Sequence, residues 1–157
     1  QVEWNADRVK VFRQVGYLRH QLKKEDFRNN KIDAAEISAA ESGNALYVVQ
    51  VNPDGEGPLG VVRVRYKVPF TREYTELEWS LAYEPAATPL EQAGPAMRLG
   101  TVAATFAEWL AKNPYAQGVE LGDLQGLISG IPSIYATDPR PAQLEWMINK
   151  ARILAGN

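Results

Sequence analysis

The sequence predicts an α+β protein: an antiparallel β-sheet or small sandwich of about five strands, followed by a C-terminal cap of three helices. Three observations carry this reading. Apolar residues recur with period two through the first half, they recur at helical spacing through the second, and an alanine- and proline-rich stretch separates the halves. With 157 residues, 45% of them apolar and 23% charged, the chain has the size and makeup of a folded domain with room for a real core. The linker divides it into an antiparallel β subdomain over residues 1–86 and a helical subdomain over residues 87–157, packed on the first.

In "DRVKVFRQVGYL", Val9, Val11, Val15 and Tyr17 alternate with Lys10, Gln14 and Gly16, the pattern of a half-buried strand. Arg13 interrupts its apolar face, which places it near an edge. "NALYVVQVN" is rich in β-branched residues and runs into the turn formers of "PDGEGP". "LGVVRVRYK" and "YTELEWSLAYE" read as a hairpin around "VPFTRE". Val62, Val64 and Tyr66 share a face with Leu77, Trp79 and Leu81, and Arg63 and Arg65 then stand opposite Glu76 and Glu78 as a solvated charge ladder.

The segment "PAATPLEQAGP", Pro85 to Pro95, is the boundary. Beyond it, Leu99, Val102, Ala103, Phe106 and Leu110 fall at helical spacing, and Pro114 stops the run. A second helix carries Leu121, Leu124, Leu127, Ile128 and Ile131 on one face, weakened by its glycines and closed by Gly130 and Pro132. The third is capped by Asp138 or a neighbour, presents Leu144, Met147, Ile148, Ala151 and Leu154, and stops at Gly156.

The composition excludes several classes. A net charge of −2 lacks the clustered positive surface that nucleic acid requires, so no nucleic-acid partner is expected. Without cysteine there is no disulfide framework, thiolate zinc site or cysteine nucleophile. No apolar run reaches the roughly 18 residues of a membrane span. The chain opens at Gln1, with no charged leader before an apolar core, and reads as a processed or excised piece.

The search for chemistry yields no catalytic, cofactor-binding or metal-binding residue, so the chain reads as a non-enzyme without a cofactor. His20 is the one histidine, too few for a triad or a histidine metal cluster, and reads as a surface residue. The serines lack a G-x-S-x-G elbow, and neither nucleotide-binding glycine motif occurs. Glu76, Glu78 and Glu84 are weighed as a glycosidase pair, but neighbouring arginines would keep them ionised, which is unsuited to a general acid.

The most unusual stretch is "EDFRNNKIDAAEI", Glu25 to Ile37, where four acids and two asparagines crowd like a calcium loop. Set against the EF-hand template from Asp26, it has Lys31 where the turn glycine belongs and Ile37 where the closing carboxylate belongs. A looser ion site would draw on Asp26, Asn30, Asp33 and Glu36. The plainer reading is a polar connector in which Asn29-Asn30 turns the chain and Asp33 caps a short helical turn.

Taken in order, Gly16-Tyr17, Glu25-Asp26-Phe27 with Asn29 or Asn30, Asp33-Ala34 with Glu36, and Ala45-Leu46-Tyr47 form a series. Followed by "RYK" and an alanine-rich helix, that series resembles the C-terminal region of bacterial YfbK-type proteins containing a von Willebrand factor type A domain. This chain departs from the family pattern around Ala35 and Glu41-Ser42-Gly43, where a glycine and a histidine are usual, which weakens a metal role for that segment. The resemblance implies an accessory domain downstream of a type A domain in an exported, often lipid-anchored protein of the cell envelope or periplasm. Its partner would be a protein, the upstream type A domain included. The alternative is a carbohydrate- or peptidoglycan-binding β module using Trp4, Trp79 or Trp109 as an aromatic platform, although Trp79 and Trp109 read as core residues.

Overall fold

The computed structural model describes residues 1–16, 23–32 and 42–156. The chain divides into two compact units, Gln1–Ala86 and Ala87–Asn157. Among the described residues the first holds five antiparallel strands in two sheets and the second is helical, an α+β architecture.

Strands β1 (Val2–Trp4), β4 (Gly60–Lys67) and β5 (Tyr74–Leu81) form one sheet in the order β1-β4-β5, and β2 (Val9–Val15) pairs with β3 (Leu46–Val51) in the other. The β4–β5 hairpin has the register its side chains require, with Val62 opposite Trp79, Arg63 opposite Glu78, Val64 opposite Leu77 and Arg65 opposite Glu76. Matching faces fix this pairing, because a slip of one residue would set valine against glutamate. β1, three residues long, is too short to show a period of its own and is recognised only through its pairing with Gly60–Val62.

β2 departs from simple alternation. Its register against β3 shifts between Val9 and Val11, so Lys10 is an extra residue and the facing of the strand inverts there. Val9 is buried, whereas Val11 is 58% exposed, so these two valines do not share a face as their spacing predicted. Phe12, itself 54% exposed, meets Trp4 at 5.6 Å between ring centroids, and Tyr47 of β3 meets the same indole edge-on at 5.3 Å. Trp4 thus joins the two sheets. β2 ends at Val15, where Gly16 turns the backbone to φ 76°, a region open to glycine; Tyr17, expected to extend the strand, lies outside the described residues.

The second unit contains α1 (Pro95–Leu110), α2 (Leu121–Ile128), the single turn α3 (Ile131–Ile134) and α4 (Arg140–Ala155). Pro95 starts α1 where its missing N–H costs nothing, and Asp138 Oδ1 accepts from the Arg140 backbone N–H at 3.0 Å to cap α4. Gly130 and Gly156, both left-handed, turn the chain after α2 and at the end of α4.

Val102, Phe106, Leu121, Leu124, Ile128, Ile131 and Ile148 form the buried cluster of this unit, with Leu99, Trp109, Leu127 and Leu144 packed around it. Burying each large aliphatic or aromatic side chain contributes about 1.5–3 kcal/mol. Leu121, Leu124, Leu127 and Ile128 sit on α2 where their spacing put them, but the helix does not run on to Ile131 as expected: left-handed Gly130 breaks it, and Ile131 enters the same core as the first residue of α3. On α1 the buried face turns toward Trp109, leaving Ala103 and Leu110 exposed; on α4, Ile148 is buried but Met147 and Leu154 are exposed. A 3.6-residue period places 109 and 110, or 147 and 148, equally near one stripe, and packing chooses between them.

Candidate functional site

The acidic connector and the charge ladder, separate in sequence, meet in space. Lys24–Arg28 forms a short 3-10 helix, and Asn29 ends it by accepting from the Lys31 N–H through its side chain and from the Ile32 N–H through its carbonyl, each at 3.1 Å. This is the expected asparagine turn. The segment touches each strand of the three-stranded sheet. Lys24 Nζ lies 3.5 Å from Glu3 Oε1 on β1, Arg65 Nη2 on β4 donates to Asn30 Oδ1 at 2.5 Å, and Arg28 donates through Nε and Nη2 to both oxygens of Glu76 on β5 at 3.0 and 2.7 Å.

Beside it, Arg63 bridges two carboxylates, donating to Glu3 Oε2 at 2.6 Å and Glu78 Oε2 at 2.7 Å. The hydrogen bond from Arg63 and the nearby Lys24 charge hold the Glu3 carboxyl below its ordinary range, and the hydrogen bond from Arg28 does the same to Glu76. A carboxylate held ionised in this way is the opposite of a general acid. The ladder is therefore exposed on its flanks and also a seat for the connector, which its alternation alone does not show.

Of the looser ion site, Asn30 gives its oxygen to Arg65, and Asn29 Nδ2 approaches Asp26 Oδ1 at 3.4 Å. Asp33 and Glu36 lie outside the described residues, as do His20 and the helical turn that Asp33 would cap. Among the described residues no group of three or more histidine, aspartate or glutamate side chains is placed to hold a metal ion.

The three tryptophans weighed as a platform part ways. Trp4 is half-buried between the sheets, and Trp109 stacks on Phe106 at 6.0 Å, nearly parallel, against the helical core. Trp109 also lines an open groove of about 360 Å³ with Leu110, Lys112, Asn113, Ala116 and Gln117. Trp79 does not pack as a core residue: it is 50% exposed, and Val64, Tyr66 and Leu77 on the same sheet face are each more than 40% exposed. So the apolar face of the hairpin, and not only its charged face, reaches solvent. Patches of this kind mark contact surfaces in folded proteins.

Sequence reasoning missed a second cluster. Arg8, nearly buried, donates to the carbonyl oxygens of Asn52 (3.1 Å), Pro53 (2.9 Å) and Gly57 (3.2 Å). Asn5 Nδ2 donates to Glu56 O and Pro58 O, and Asp7 Oδ2 accepts from the Glu56 N–H. The turn Asn5–Arg8 thereby clasps the whole loop 52–58. A polar run beside a strand was the only hint, and polarity alone does not distinguish a clasp from a solvated turn.

No curated protein and no solved structure matches the chain. A family model matches residues 1–58, a span that holds β1, β2, the Lys24–Arg28 segment, β3 and the clasped loop, while β4, β5 and the helical unit lie beyond it. Over those residues the chain carries the pattern of the family described as "Uncharacterized protein YfbK, C-terminal".

Proposed function

We propose that the chain is a non-catalytic accessory domain that supports protein–protein contact, downstream of a von Willebrand factor type A domain in an extracytoplasmic bacterial protein. The observation that carries the contact role is the exposed apolar face of the β4–β5 hairpin, centred on Leu77 and Trp79. Aromatic and aliphatic side chains exposed together on a rigid strand pair suit a buried interface core, where tryptophan is enriched. The type A context and the envelope location rest on the resemblance read from the sequence; the family match over residues 1–58 supports only its YfbK C-terminal part.

The reading frame preceding Gln1 tests the context: a D-x-S-x-S metal motif and an export signal are expected, and their absence sinks it. For the contact, the chain and the type A domain are produced as separate polypeptides and titrated by calorimetry. Binding is expected, weakened about tenfold or more by Trp79→Ser with Leu77→Ser. No binding by the unaltered chain overturns the contact role, and hydrolysis of a common substrate that is lost on changing one carboxylate overturns the non-catalytic one.

The exposure of Trp79 also supports a carbohydrate- or peptidoglycan-binding reading, in which the indole is a stacking platform. Glycan titration of intrinsic fluorescence, repeated on Trp79→Phe, separates the two: quenching or a shift confined to the unaltered chain favours the glycan.

A further inference from the structure

We infer that Lys23–Ile32 is an ionic strap across the charged face of the three-stranded sheet, one that opens as ionic strength rises while the sheet beneath stays folded. The strap reaches each strand through a charged or strongly polar tether: Lys24 to Glu3, Asn30 to Arg65, and Arg28 to Glu76. Its backbone hydrogen bonds run within it, from the N–H groups of Asp26, Asn29 and Ile32 to the carbonyls of Lys23, Asp26 and Asn29. The sheet has a separate source of cohesion, the β4–β5 ladder of eight facing residue pairs.

The tethers are open to salt. Lys24 and Arg28 side chains are about 70% exposed, and a pair in that setting is screened once the Debye length, about 10 Å at 0.1 M, contracts to about 3 Å at 1 M. Phe27 is the competing element. Half-buried in the cleft beside Glu3 and Arg63, its ring would hold the strap whatever the salt. Charge, and not Phe27, decides the closed state. Opening frees Glu76, Arg65 and one side of Glu3 for other charged groups.

Trypsin reads the strap directly, because it cleaves after Arg28 only when the segment leaves the sheet. Cleavage of the full chain at the Arg28–Asn29 bond is measured at about 20 mM and about 1 M sodium chloride, normalised to a free peptide of the same sequence. The expected result is about a fivefold or greater rise in the normalised rate at high salt. Glu76→Gln should raise the low-salt rate and shrink the salt response, and Lys24→Gln should do so more weakly. A normalised rate unchanged by salt overturns the proposal, as does a rise that Phe27→Ala reproduces and Glu76→Gln does not. The bonds after Arg63 and Arg65 in β4 must stay protected throughout; cleavage there rising in step would mean loss of the sheet and would equally overturn it.

Discussion

The guanidinium of Arg8 lies over the ring of Tyr83, 4.1 Å from its centroid, while its nitrogens donate to three backbone carbonyls of the loop 52–58. A nearly buried cation is thus balanced by carbonyl dipoles and an aromatic face. Lysine keeps the charge but cannot reach three carbonyls from one planar fork. Arg8→Lys is expected to destabilise the β unit by about 1–3 kcal/mol, and Tyr83→Leu by about 0.5–2 kcal/mol. Urea unfolding of the full chain, followed on the amide signals of β2 and β3, checks both; a lysine variant as stable as the parent would show that Arg8 is not the clasp.

Glycines give predictions of opposite sign. A Cβ built on Gly55 meets the carbonyl oxygen of Asp7, which belongs to the clasping turn and cannot move aside independently. Gly126, inside α2, has open space where the Cβ would go. Gly55→Ala should therefore cost about 1–3 kcal/mol, whereas Gly126→Ala should stabilise by about 0.5–1 kcal/mol through helix propensity and a smaller unfolded ensemble. Thermal unfolding of the two variants against the parent distinguishes them, and a shift of the same sign in both refutes the account.

Two isoleucines on one helix separate packing from pattern. Ile148 is fully buried in the helical core, and Ile153 on the same helix is 63% exposed. Ile148→Ala removes a filled volume and should cost about 2–5 kcal/mol; Ile153→Ala should change stability by less than about 0.5 kcal/mol. Guanidinium unfolding monitored by helical circular dichroism is the measurement. Comparable losses in both would mean that Ile153 is covered by a partner surface in solution, which sedimentation would then reveal.

Where the sequence was legible, one physical signal had one solution. The β4–β5 register follows from alternating valines and arginines against leucine, tryptophan and glutamates, and the α2 stripe follows from four apolar positions, Leu121, Leu124, Leu127 and Ile128, that fit only one face. Elsewhere a long-range fact decided. The extra residue at Lys10 inverts β2 after Val9, and nothing local to "VKVF" announces it. The same holds for the polar clusters. Arg28 reaches Glu76, and Arg8 reaches Pro53, across more than forty residues of chain, so neither pair shows in a window of sequence. Arg98 is another case: from α1 it donates to Leu127 O and Ser129 O, satisfying carbonyls at the end of α2 that would otherwise lack partners. The face of Leu77 and Trp79 was legible as apolar but not as exposed, because alternation states which residues share a side and not what covers it.

Asp138 supplies the one acid-range prediction with a definite window. Its carboxylate caps α4 through the Arg140 backbone N–H and also takes two close bonds from the Arg140 guanidinium, Nε at 2.9 Å and Nη2 at 2.7 Å. The side-chain hydrogen bond from Arg140, followed by the backbone one, lowers its pKa from 3.8 to about 2. A folded-state value below the unfolded one means that the cap stabilises fully above about pH 4 and that its contribution fades as pH falls from there toward 2. Carboxyl carbon chemical shifts followed by NMR through that range should give a midpoint near 2 for Asp138, with the Arg140 amide shift moving in parallel. Arg140→Gln should bring the midpoint up toward the ordinary value while leaving the backbone cap in place. Asp138→Asn should retain a cap at every pH and abolish the acid-dependent fraying of the first turn of α4. A midpoint at 3.8 in the unaltered chain would show that the Arg140 pairing does not persist in solution.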